Sequence, residues 1–454
     1  MNKNKNEDIQ QFFTPKIAVL GLGYVGLPLF CLFSKHYHCV GFDSDNERTT
    51  LLSRGIDAKR CEKEENINAA IRNSIIVSNS NAIRDCNVFV ICVPTGVTSS
   101  HEPDLFPLKS ACFVVGSNLK KGDLVIFEST VFPGATDEIC IPILEEYSGL
   151  TLNIDFGVGY SPERINVGEE IHHLSITPKI ISGSSSEVLN KIEKLYSSII
   201  SAPLCRASSI KVAEAAKMYE NVQRDTLIAL ANEFSLYCGK ERIDSFEVTR
   251  CASTKWNFAS IYPGLVGGHC IGIDPYYLIE RAKSKSLDLP LVSTARCINE
   301  NETFIVIKKI SDLIGDKDCS ILILGASYKA NISDIRNSKS IEIIKRLHDQ
   351  GVTIMAFDPI IDTSLLSPEI ESLFIKDQSE LIQRYDIVIK LVNHSIFDKF
   401  NIRGTISTLE LKDLRWVLSI PFFISCIRQQ NPLTVLSKII LRKVKQFNLP
   451  PQKK

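Results

Sequence analysis

The feature of this sequence that most restricts its fold is a glycine-rich turn between a buried strand and an apolar helix. Residues 17–20 form an apolar run, the motif GLGYVG follows at residues 21–26, and an apolar helical pattern comes next. A second apolar run, at residues 39–42, has the length of another strand. Together they predict a strand–helix–strand unit, the building block of a parallel sheet covered by helices on both faces.

The glycine motif fits the G-x-G-x-x-G pattern of turns that bind a dinucleotide, and Asp43 follows at the end of the second strand. Gly21 permits a tight turn, Gly23 lets the backbone approach a pyrophosphate, and Gly26 allows the helix to pack closely on the strand. The N–H groups at the helix N-terminus favour phosphates. Because a carboxylate accepts bonds from a ribose 2′-hydroxyl and repels a 2′-phosphate, Asp43 favours NAD over NADP. The alternatives are a 2′-phosphate held by Arg48 and a structural turn without a ligand.

Later stretches of the chain continue the alternation of strands and helices. Further strands are predicted in NVFVICVPT, DLVIFESTV and YDIVIKLVN, and a long helix without proline or glycine covers residues 211–238. A second strand–helix–strand unit begins at Cys319 and lacks the glycine motif. Lys329, Asp334 and Arg336 follow its first strand instead, which suits an anionic phosphate or, alternatively, a solvated loop. The predicted fold class is α/β, with two Rossmann-like doubly wound domains joined by a long central helix.

Composition disfavours several classes of function. Lysine and arginine (52) balance aspartate and glutamate (52), so the net charge gives no indication of nucleic acid binding. The N-terminus has no signal-peptide core, and no apolar run reaches the roughly 18 residues of a membrane-spanning helix. The 14 cysteines form no C-x-x-C pair, so most are expected to be buried thiols in a reducing cytoplasm. After Asp413 the tail has eight basic residues and no acidic one, which predicts a solvated end or a weak contact with an anionic membrane surface.

The segment YPGLVGGHCIGIDPYY sets one cysteine apart from the others. Gly267 and Gly268 precede Cys270 and would let a substrate approach the backbone. A helix that begins near Cys270 would lower the pKa of its thiol, and Asp274 would then lie one turn further on the same face. This arrangement suits a nucleophilic thiol and a carboxylate that orients the water attacking a thioester. The alternative is a buried apolar cysteine.

Other polar residues occur where a sheet of this kind binds ligands. Lys217 and Asn221 are one turn apart in the long helix, where an ammonium and an amide together stabilise an oxyanion. Glu163 and Arg164 follow one predicted strand, and Thr130 ends another. A thiol, a carboxylate, a lysine and an amide beside a dinucleotide suit two successive hydride removals. The first converts an alcohol to an aldehyde, and the second converts a thiohemiacetal to a thioester that water hydrolyses.

An ordered set of motifs points to a known family. The set is GLGYVGLP, CVPT, ESTVFPGAT, GYSPERIN, KVAEAAKMYENVQRD, PGLVGGHCIGIDPYYL and YKANISDIRNS. Over residues 14–415 it resembles the UDP-glucose/GDP-mannose dehydrogenases, which are NAD-dependent nucleotide-sugar 6-dehydrogenases. GGHCIGIDPYYL, YSPERIN and TKWNF resemble the N-acetylhexosamine branch, which implies oxidation of UDP-N-acetylglucosamine to its uronate for capsule or O-antigen synthesis. UDP-N-acetylgalactosamine, UDP-N-acetylmannosamine and UDP-glucose are the alternative substrates.

The resemblance also implies domains and residue roles. The domains are an NAD-binding Rossmann domain at 14–205, a central helical dimerisation region at 206–305, a UDP-binding Rossmann-like domain at 306–425 and a basic tail at 426–454. The catalytic residues are Cys270 (nucleophile), Lys217 and Asn221 (oxyanion and substrate contacts), Asp274 (the acid that helps the lysine and water), Glu163 (general base or water-orienting acid) and Thr130 (water positioning). The cofactor-binding residues are Gly21, Gly23, Tyr24, Val25, Gly26, Asp43, Arg48, Thr95, Thr130 and Arg336. The substrate-binding residues are Glu163, Arg164, Lys217, Asn221, Tyr262, Gly264, Leu265, Gly267 and Lys329, and no metal is implied.

Three departures from the family pattern are visible. Val167 replaces a usual proline, Ala330 replaces an acid beside Lys329, and the sequence from about Val417 differs from the usual final strand. All the implied chemical residues are present, so activity is expected. The alternatives are a two-electron hydroxyacid dehydrogenase, which shares the glycine motif and long helix, and a silent protein that binds NAD or a nucleotide sugar.

Overall fold

The computed structural model describes residues 14–164, 174–315, 319–382, 385–400 and 408–410. Contacts divide the chain into two compact units. The first unit contains Met1–Asn221 and Tyr276–Asp288, and the second contains Val222–Pro275 and Leu289–Lys454. Val167, the stretch from Val417 and the predicted tail at 426–454 lie outside the described residues.

The strands of the first unit form one large sheet and one small hairpin. They are β1 (Lys16–Leu20), β2 (His38–Phe42), β3 (Ile75–Val77), β4 (Val88–Ile91), β5 (Gly96–Val97), β6 (Pro103–Asp104), β7 (Leu124–Phe127), β8 (Gly157–Tyr160), β9 (Lys179–Gly183) and β10 (Leu204–Arg206). The large sheet has the order β10-β9-β8-β7-β4-β1-β2-β3, and β5 pairs with β6. The predicted strands at residues 17–20 and 39–42 are confirmed as parts of β1 and β2, which pair parallel.

The expectation of a parallel sheet is wrong for one pair of its strands. β8 and β9 pair antiparallel, with Gly159 opposite Gly183. A parallel neighbour requires a long crossover, usually a helix. In the described part of the connection, only a short 3-10 turn, Leu174–Ile176, occurs between these two strands. β9 thus runs in the direction opposite to β8.

Both faces of the large sheet are buried, as the doubly wound prediction requires. Alternate residues of β1 belong to two separate apolar clusters, Ile17 and Val19 to one and Ala18 and Leu20 to the other. Successive side chains of a strand point to opposite faces, so each face of β1 has its own core. This explains why the strand sequence is continuously apolar rather than alternating.

Helices cover the sheets and connect the strands. They are α1 (Gly26–Phe33), α2 (Asn46–Leu52), α3 (Glu64–Ala70), α4 (Phe106–Gly116), α5 (Ile141–Ser148), α6 (Ser186–Ser197), α7 (Ile210–Glu241), α8 (Ser245–Ala252), α9 (Asp274–Lys283), α10 (Pro290–Ile314), α11 (Lys339–Asp349) and α12 (Pro368–Glu371). The predicted long helix is confirmed as α7, whose 32 residues correspond to a length of about 48 Å. No helix among the described residues has both the length and the apolar content needed to cross a bilayer.

The second unit contains a smaller parallel sheet. Its strands are β11 (Ile321–Leu324), β12 (Ile354–Phe357), β13 (Ile387–Lys390) and β14 (Thr408–Glu410), in the order β12-β11-β13-β14. Residues 321 and 323 of β11 pack into one apolar cluster and residues 322 and 324 into another. The second predicted strand–helix–strand unit is confirmed as β11, α11 and β12, with β11 and β12 parallel.

Candidate active site

The glycine turn lies where the winding direction of the large sheet reverses, between β1 and β4. Gly21 has a φ of +87°, and a Cβ there would lie 2.9 Å from the Cys92 carbonyl oxygen. A Cβ at Gly26 would lie 1.8 Å from the Gly21 carbonyl oxygen, so α1 reaches its position only with glycine there. At Gly23, by contrast, a Cβ would meet nothing within 4 Å. The turn therefore has a tight base and an open edge, which fits a phosphate-binding crevice at the carboxyl ends of parallel strands.

The helix that follows the turn begins without a side-chain cap. Tyr24 and Val25 are half-buried in the turn, and Val25 is the N-cap residue of α1 but makes no capping hydrogen bond. The first N–H groups of a helix need partners from outside it, and an anion at this end satisfies them.

Asp43 and Arg48 both bind the glycine turn. The Leu22 N–H donates to Asp43 Oδ2 at 2.8 Å, and Arg48 Nε donates to the Leu22 carbonyl oxygen at 2.6 Å. Arg48 is buried and also pairs with Asp57 at 3.1 Å. The Arg48 guanidinium is thus bound within the protein, by the Leu22 carbonyl oxygen and the Asp57 carboxylate.

Three of the predicted residues follow neighbouring strands of the same sheet. Thr95 comes after β4, Thr130 after β7 and Glu163 after β8. The carboxyl ends of parallel strands meet at one edge of the sheet, so the fold brings these residues to the edge that has the glycine turn. Thr95 and Thr130 are half-buried, whereas Glu163 is buried.

A buried ion pair, for which no local sequence pattern is a signal, joins two of these loops. Lys179 Nζ lies 2.7 Å from Glu128 Oε2, and the two side chains are 3% and 0% exposed. Lys179 also donates to the Pro162 carbonyl oxygen at 3.2 Å, and the Tyr196 hydroxyl donates to Glu128. Glu128 lies two residues before Thr130, so the pair fixes the loop that contains Thr130 relative to the start of the loop that contains Glu163.

The structure brings Lys217 of α7 and Glu163 together. Lys217 Nζ donates to the Glu163 carbonyl oxygen at 2.6 Å and lies 3.5 Å from its carboxylate. Both residues are buried. Asn221, one turn along α7, is half-buried. Arg164 lies at the same loop, where it pairs with Glu220 at 2.6 Å and is 30% exposed.

Another buried acid on α7 was not predicted. Glu214 accepts hydrogen bonds from the N–H groups of Gly134, at 2.5 Å, and Thr136, at 2.9 Å. Burial, opposed by these bonds, raises the pKa of Glu214 to about 7. Glu214 therefore fixes the segment after Thr130 and changes its charge near neutral pH.

Cys270, in the second unit, lies in a turn and not in a helix, contrary to the prediction. α9 begins at Asp274, whose N–H donates to the Cys270 carbonyl oxygen at 2.9 Å. This bond keeps the predicted spacing of one turn between the thiol and the carboxylate, although the helix starts four residues later than expected. Cys270 is partly exposed and Asp274 is buried.

Most other described cysteines are less suited to chemistry. Burial raises the pKa of the Cys39 thiol to about 12 and that of Cys86 to about 11. Cys92 and Cys140 are also buried, and their pKa values are raised well above the ordinary range, mainly by burial for Cys92 and by a hydrogen bond to another thiol for Cys140. These are protonated apolar fillers, as expected for most cysteines of the chain.

Gly267 and Gly268 leave room for another loop of the second unit. A Cβ at Gly267 would lie 2.7 Å from the Asn337 carbonyl oxygen, and one at Gly268, which has a φ of +78°, would lie 2.7 Å from the Tyr328 ring. Asn337 Nδ2 also donates to the Gly268 carbonyl oxygen at 2.8 Å. The protein's own loop after β11 thus occupies this space, and the glycines allow it to pack against the segment that contains Cys270.

The second unit has a pocket of about 260 Å³ at the carboxyl ends of β11 and β13. The order of its sheet reverses between these strands, so the pocket lies at a position where such sheets bind ligands. This second-unit pocket is lined by Gly264, Leu265, Gly267, Tyr328, Lys329, Ala330, Lys339, Ser340, Leu391, Val392 and Asn393. Four of the predicted substrate-binding residues are among them: Gly264, Leu265, Gly267 and Lys329.

The remaining predicted residues lie elsewhere in the second unit. Tyr262 is 43% exposed and stacks on Phe246, with ring centroids 5.2 Å apart. Arg336 pairs with Asp334 at 2.6 Å and lies 3.4 Å from His269 Nε2. Burial raises the pKa of Asp334, but hydrogen bonds from Arg336 outweigh that effect and hold the pKa below its ordinary value.

The acid at the end of β12 has been turned inward. Asp358 occupies the place after β12 that Asp43 has after β2, but it is buried. It accepts a hydrogen bond from the Ala326 N–H at 2.7 Å, and His394 Nε2 lies at 3.0 Å. The Asn331 N–H donates to His394 Nδ1 at 2.8 Å, which leaves Nε2 to donate to Asp358. The Asp358 carboxylate is therefore hydrogen-bonded within the protein, to groups of its own loops.

Across the described ranges, no group of three histidine, cysteine or carboxylate side chains is placed to hold a metal ion.

Models of three domains of one family match the chain: the NAD binding domain at residues 15–200, the central domain at 211–301 and the UDP binding domain at 322–418 of the UDP-glucose/GDP-mannose dehydrogenase family.

Individual relatives agree with the family models. The chain is 41% identical over 412 residues to UDP-N-acetyl-D-glucosamine 6-dehydrogenase of Salmonella typhi, covering 89% of this chain and 96% of the relative. It is 41% identical over 387 residues to the Pseudomonas aeruginosa enzyme of the same name, covering 84% and 91%. The solved UDP-D-ManNAc dehydrogenase of Pyrococcus horikoshii superposes with a TM-score of 0.76 at 30% identity, covering 85% and 91%. The chain therefore belongs to the UDP-glucose/GDP-mannose dehydrogenase family and is an NAD-dependent oxidoreductase.

Proposed function

We propose that this protein oxidises the C6 hydroxymethyl group of a UDP-N-acetylhexosamine, with UDP-N-acetylglucosamine favoured, to the uronate. The observation that carries the proposal is the placement of Cys270, a partly exposed thiol in the turn before α9, one turn from the buried carboxylate of Asp274. The sequence identity to UDP-N-acetyl-D-glucosamine 6-dehydrogenases supports the choice of sugar. The product would supply the synthesis of a surface polysaccharide.

The proposed reaction uses a thiol to stop the aldehyde from leaving. Bound NAD⁺ supplies the acceptor for each hydride. Lys217 and Asn221 stabilise the oxyanion as the C6 hydroxyl loses its proton and C6 loses hydride to give the aldehyde. The thiolate of Cys270 then forms a C–S bond to C6, and the thiohemiacetal loses a second hydride to become a thioester. Water breaks the C–S bond, releasing the carboxylate and returning the thiol.

In this scheme two carboxylates and a threonine activate and orient the water that hydrolyses the thioester. The Glu163 carboxylate lies 3.5 Å from Lys217 Nζ. The carboxylate of Glu163 or Asp274 accepts the proton of the water that attacks the thioester, and Thr130 orients that water. The uridine diphosphate is proposed to bind in the second-unit pocket, where Lys329 meets its phosphates.

The proposed assembly is a homodimer formed through α7. Three exposed apolar residues of α7 are spaced to share one helical face: Tyr219 is 69%, Leu230 60% and Tyr237 56% exposed. A second copy of the chain would cover this stripe. Replacing Leu230 by glutamate is expected to give monomers in light scattering. A dimer of unchanged mass would contradict this interface.

We propose that the enzyme is cytoplasmic, since no disulfide joins any of the 13 described cysteines. Contact of the basic tail with an anionic membrane surface is a weaker proposal. It predicts that the protein sediments with anionic vesicles at low salt and is released at higher salt.

The test of the function is the amount of NADH formed for each UDP-N-acetylglucosamine consumed. Two NADH per sugar are expected, and Cys270→Ser should form little uronate while it still binds NAD. One NADH per sugar, or normal turnover of the variant, would favour the two-electron alternative. The same assay with the galactosamine, mannosamine and glucose nucleotides identifies the sugar. Thermal stabilisation by NAD without NADH from any of them would indicate a silent binding protein.

A further inference from the structure

The wall of the second-unit pocket at Gly264 is held by one buried carboxamide. Asn232 Nδ2 donates to the Gly264 carbonyl oxygen at 3.0 Å, and the Gly264 N–H donates to Asn232 Oδ1 at 2.9 Å. Asn232, on α7, is 1% exposed. Two hydrogen bonds between one planar amide and one residue's backbone fix both the position and the orientation of that backbone.

Asn232 is in turn oriented by polar groups that make no contact with solvent. Asn232 Nδ2 also donates to Asn299 Oδ1 at 2.9 Å. Asn299 Nδ2 donates to Asp225 Oδ1 at 2.7 Å and to the Asp225 carbonyl oxygen at 2.9 Å. Asn299 and Asp225 are 0% exposed. These bonds determine which end of each amide is the donor, so the pair with Gly264 forms in one orientation.

A second arm of the same network ends at Lys339, another residue of the pocket lining. Arg296 Nη1 donates to Asp225 Oδ1 at 2.5 Å, and Nη2 donates to Glu300. Glu300 Oε2 lies 2.5 Å from Lys339 Nζ. Arg296 is 2% exposed and is therefore the buried branch point between the arm to Gly264 and the arm to Lys339.

Stability alone is a poor reason for such an arrangement. A buried ion pair is often no better for stability than apolar residues of the same volume, whereas it imposes one geometry. Hydrogen bonds from Lys339, and its charge, outweigh burial and hold the pKa of Glu300 below its ordinary value, so this arm stays charged. Both arms end on the pocket, which ties the network to ligand binding.

We propose that Asn232 and Arg296 are positioning residues for the nucleotide half of the substrate. Their network holds Gly264 and Lys339 at the spacing that a uridine diphosphate group requires. This inference rests on the proposed function of the second-unit pocket.

The test measures the dissociation constants of UDP and NAD by calorimetry on the full chain. Asn232→Ala and Arg296→Lys are expected to weaken UDP binding about tenfold, the effect of losing one or two buried hydrogen bonds, and to leave NAD binding unchanged. Glu300→Gln, on the partly exposed end of the network, is expected to weaken UDP binding less and to fold normally. Asn301→Ala is the matched control, since Asn301 is exposed on α10.

The kinetic result should separate positioning from catalysis. The variants are expected to raise KM for the UDP-sugar about tenfold and to leave kcat within about twofold. Variants that lose thermal stability but bind UDP as tightly as the wild type would overturn the inference, because the network would then be merely structural. Failure of the wild-type protein to bind UDP would instead overturn the assignment of the pocket, and the inference with it.

Discussion

Replacing Lys179 by methionine is expected to destabilise the first unit by about 3–5 kcal/mol, because it leaves Glu128 buried without its cation. The two groups are 2.7 Å apart, with side chains 3% and 0% exposed. The Tyr196 hydroxyl still donates to Glu128 in the variant, so we expect a loss near the lower end of that range.

The loss should grow as the pH rises. Burial raises the pKa of Glu128, and Lys179 acts against that rise. Without Lys179 the folded-state pKa rises further, while the unfolded-state pKa does not change. Consider a pH between the pKa of Glu128 in the folded wild type and its pKa in the folded variant. There, Glu128 is protonated only in the folded variant, so only the variant releases a proton on unfolding. Its free energy of unfolding therefore falls relative to the wild type by about 1.4 kcal/mol per pH unit. Below the wild-type pKa both proteins hold the proton, and the difference is smallest.

The measurement is urea unfolding followed by circular dichroism at several pH values, using the transition that NAD shifts to higher urea. The control is the double variant Lys179→Met with Glu128→Gln, which has no buried charge and should be more stable than the single variant at alkaline pH. Equal stability of the single and double variants at every pH would refute the reasoning.

Three further results are expected. Gly26→Ala should destabilise the first unit by at least about 1–3 kcal/mol, since its Cβ would lie 1.8 Å from a backbone oxygen. Gly23→Ala should fold normally in thermal melts, because its Cβ would meet no atom within 4 Å. This second variant should bind NAD more weakly in calorimetry. Gly268→Ala should cost about 1–3 kcal/mol in urea unfolding, because its φ is +78° and Tyr328 occupies the space. Burial raises the pKa of Glu214 from 4.5 to about 7. The free energy of unfolding of the wild type should therefore fall by about 3 kcal/mol as the pH rises from 4.5 to about 7. Glu214→Gln should remove this pH dependence, and an unchanged pH dependence would show that Glu214 does not titrate there.

Features with a local signal could be predicted from the sequence. The glycine motif, the strands on either side of it and the long helix α7 each lie within one continuous stretch, and the structure confirms them. The roles assigned to Gly21 and Gly26 follow from backbone geometry that the motif itself imposes. Lys217 and Glu163 were each singled out, Lys217 by its spacing to Asn221 and Glu163 by its place after a strand, but their mutual contact was not predicted.

Features that depend on distant contacts were missed or misjudged. The close packing of Gly267 and Gly268 against Asn337 and Tyr328, which lie far along the chain, was not predicted. The partners Lys179 and Glu128 are 51 residues apart, and no local pattern pairs them. The same holds for Arg296 and Asp225, which are separated by 71 residues. A helix beginning near Cys270 was considered as a condition for lowering the pKa of its thiol, but residues 268–273 form a turn and α9 begins at Asp274.

The inward-turned Asp358 has a consequence for the order of events in the proposed reaction. Asp358 is bound to the Ala326 N–H and His394. It is therefore not placed to accept a hydrogen bond from the ribose of a dinucleotide at the end of β12. The glycine turn at residues 21–26 is then the place that the described part of the chain offers to a dinucleotide. One protein molecule would then bind two NAD⁺ molecules, one after the other, at this turn, each accepting one hydride. The first reduced cofactor would have to leave and a second NAD⁺ bind before the half-oxidised sugar is released, and the covalent bond to Cys270 would retain that sugar.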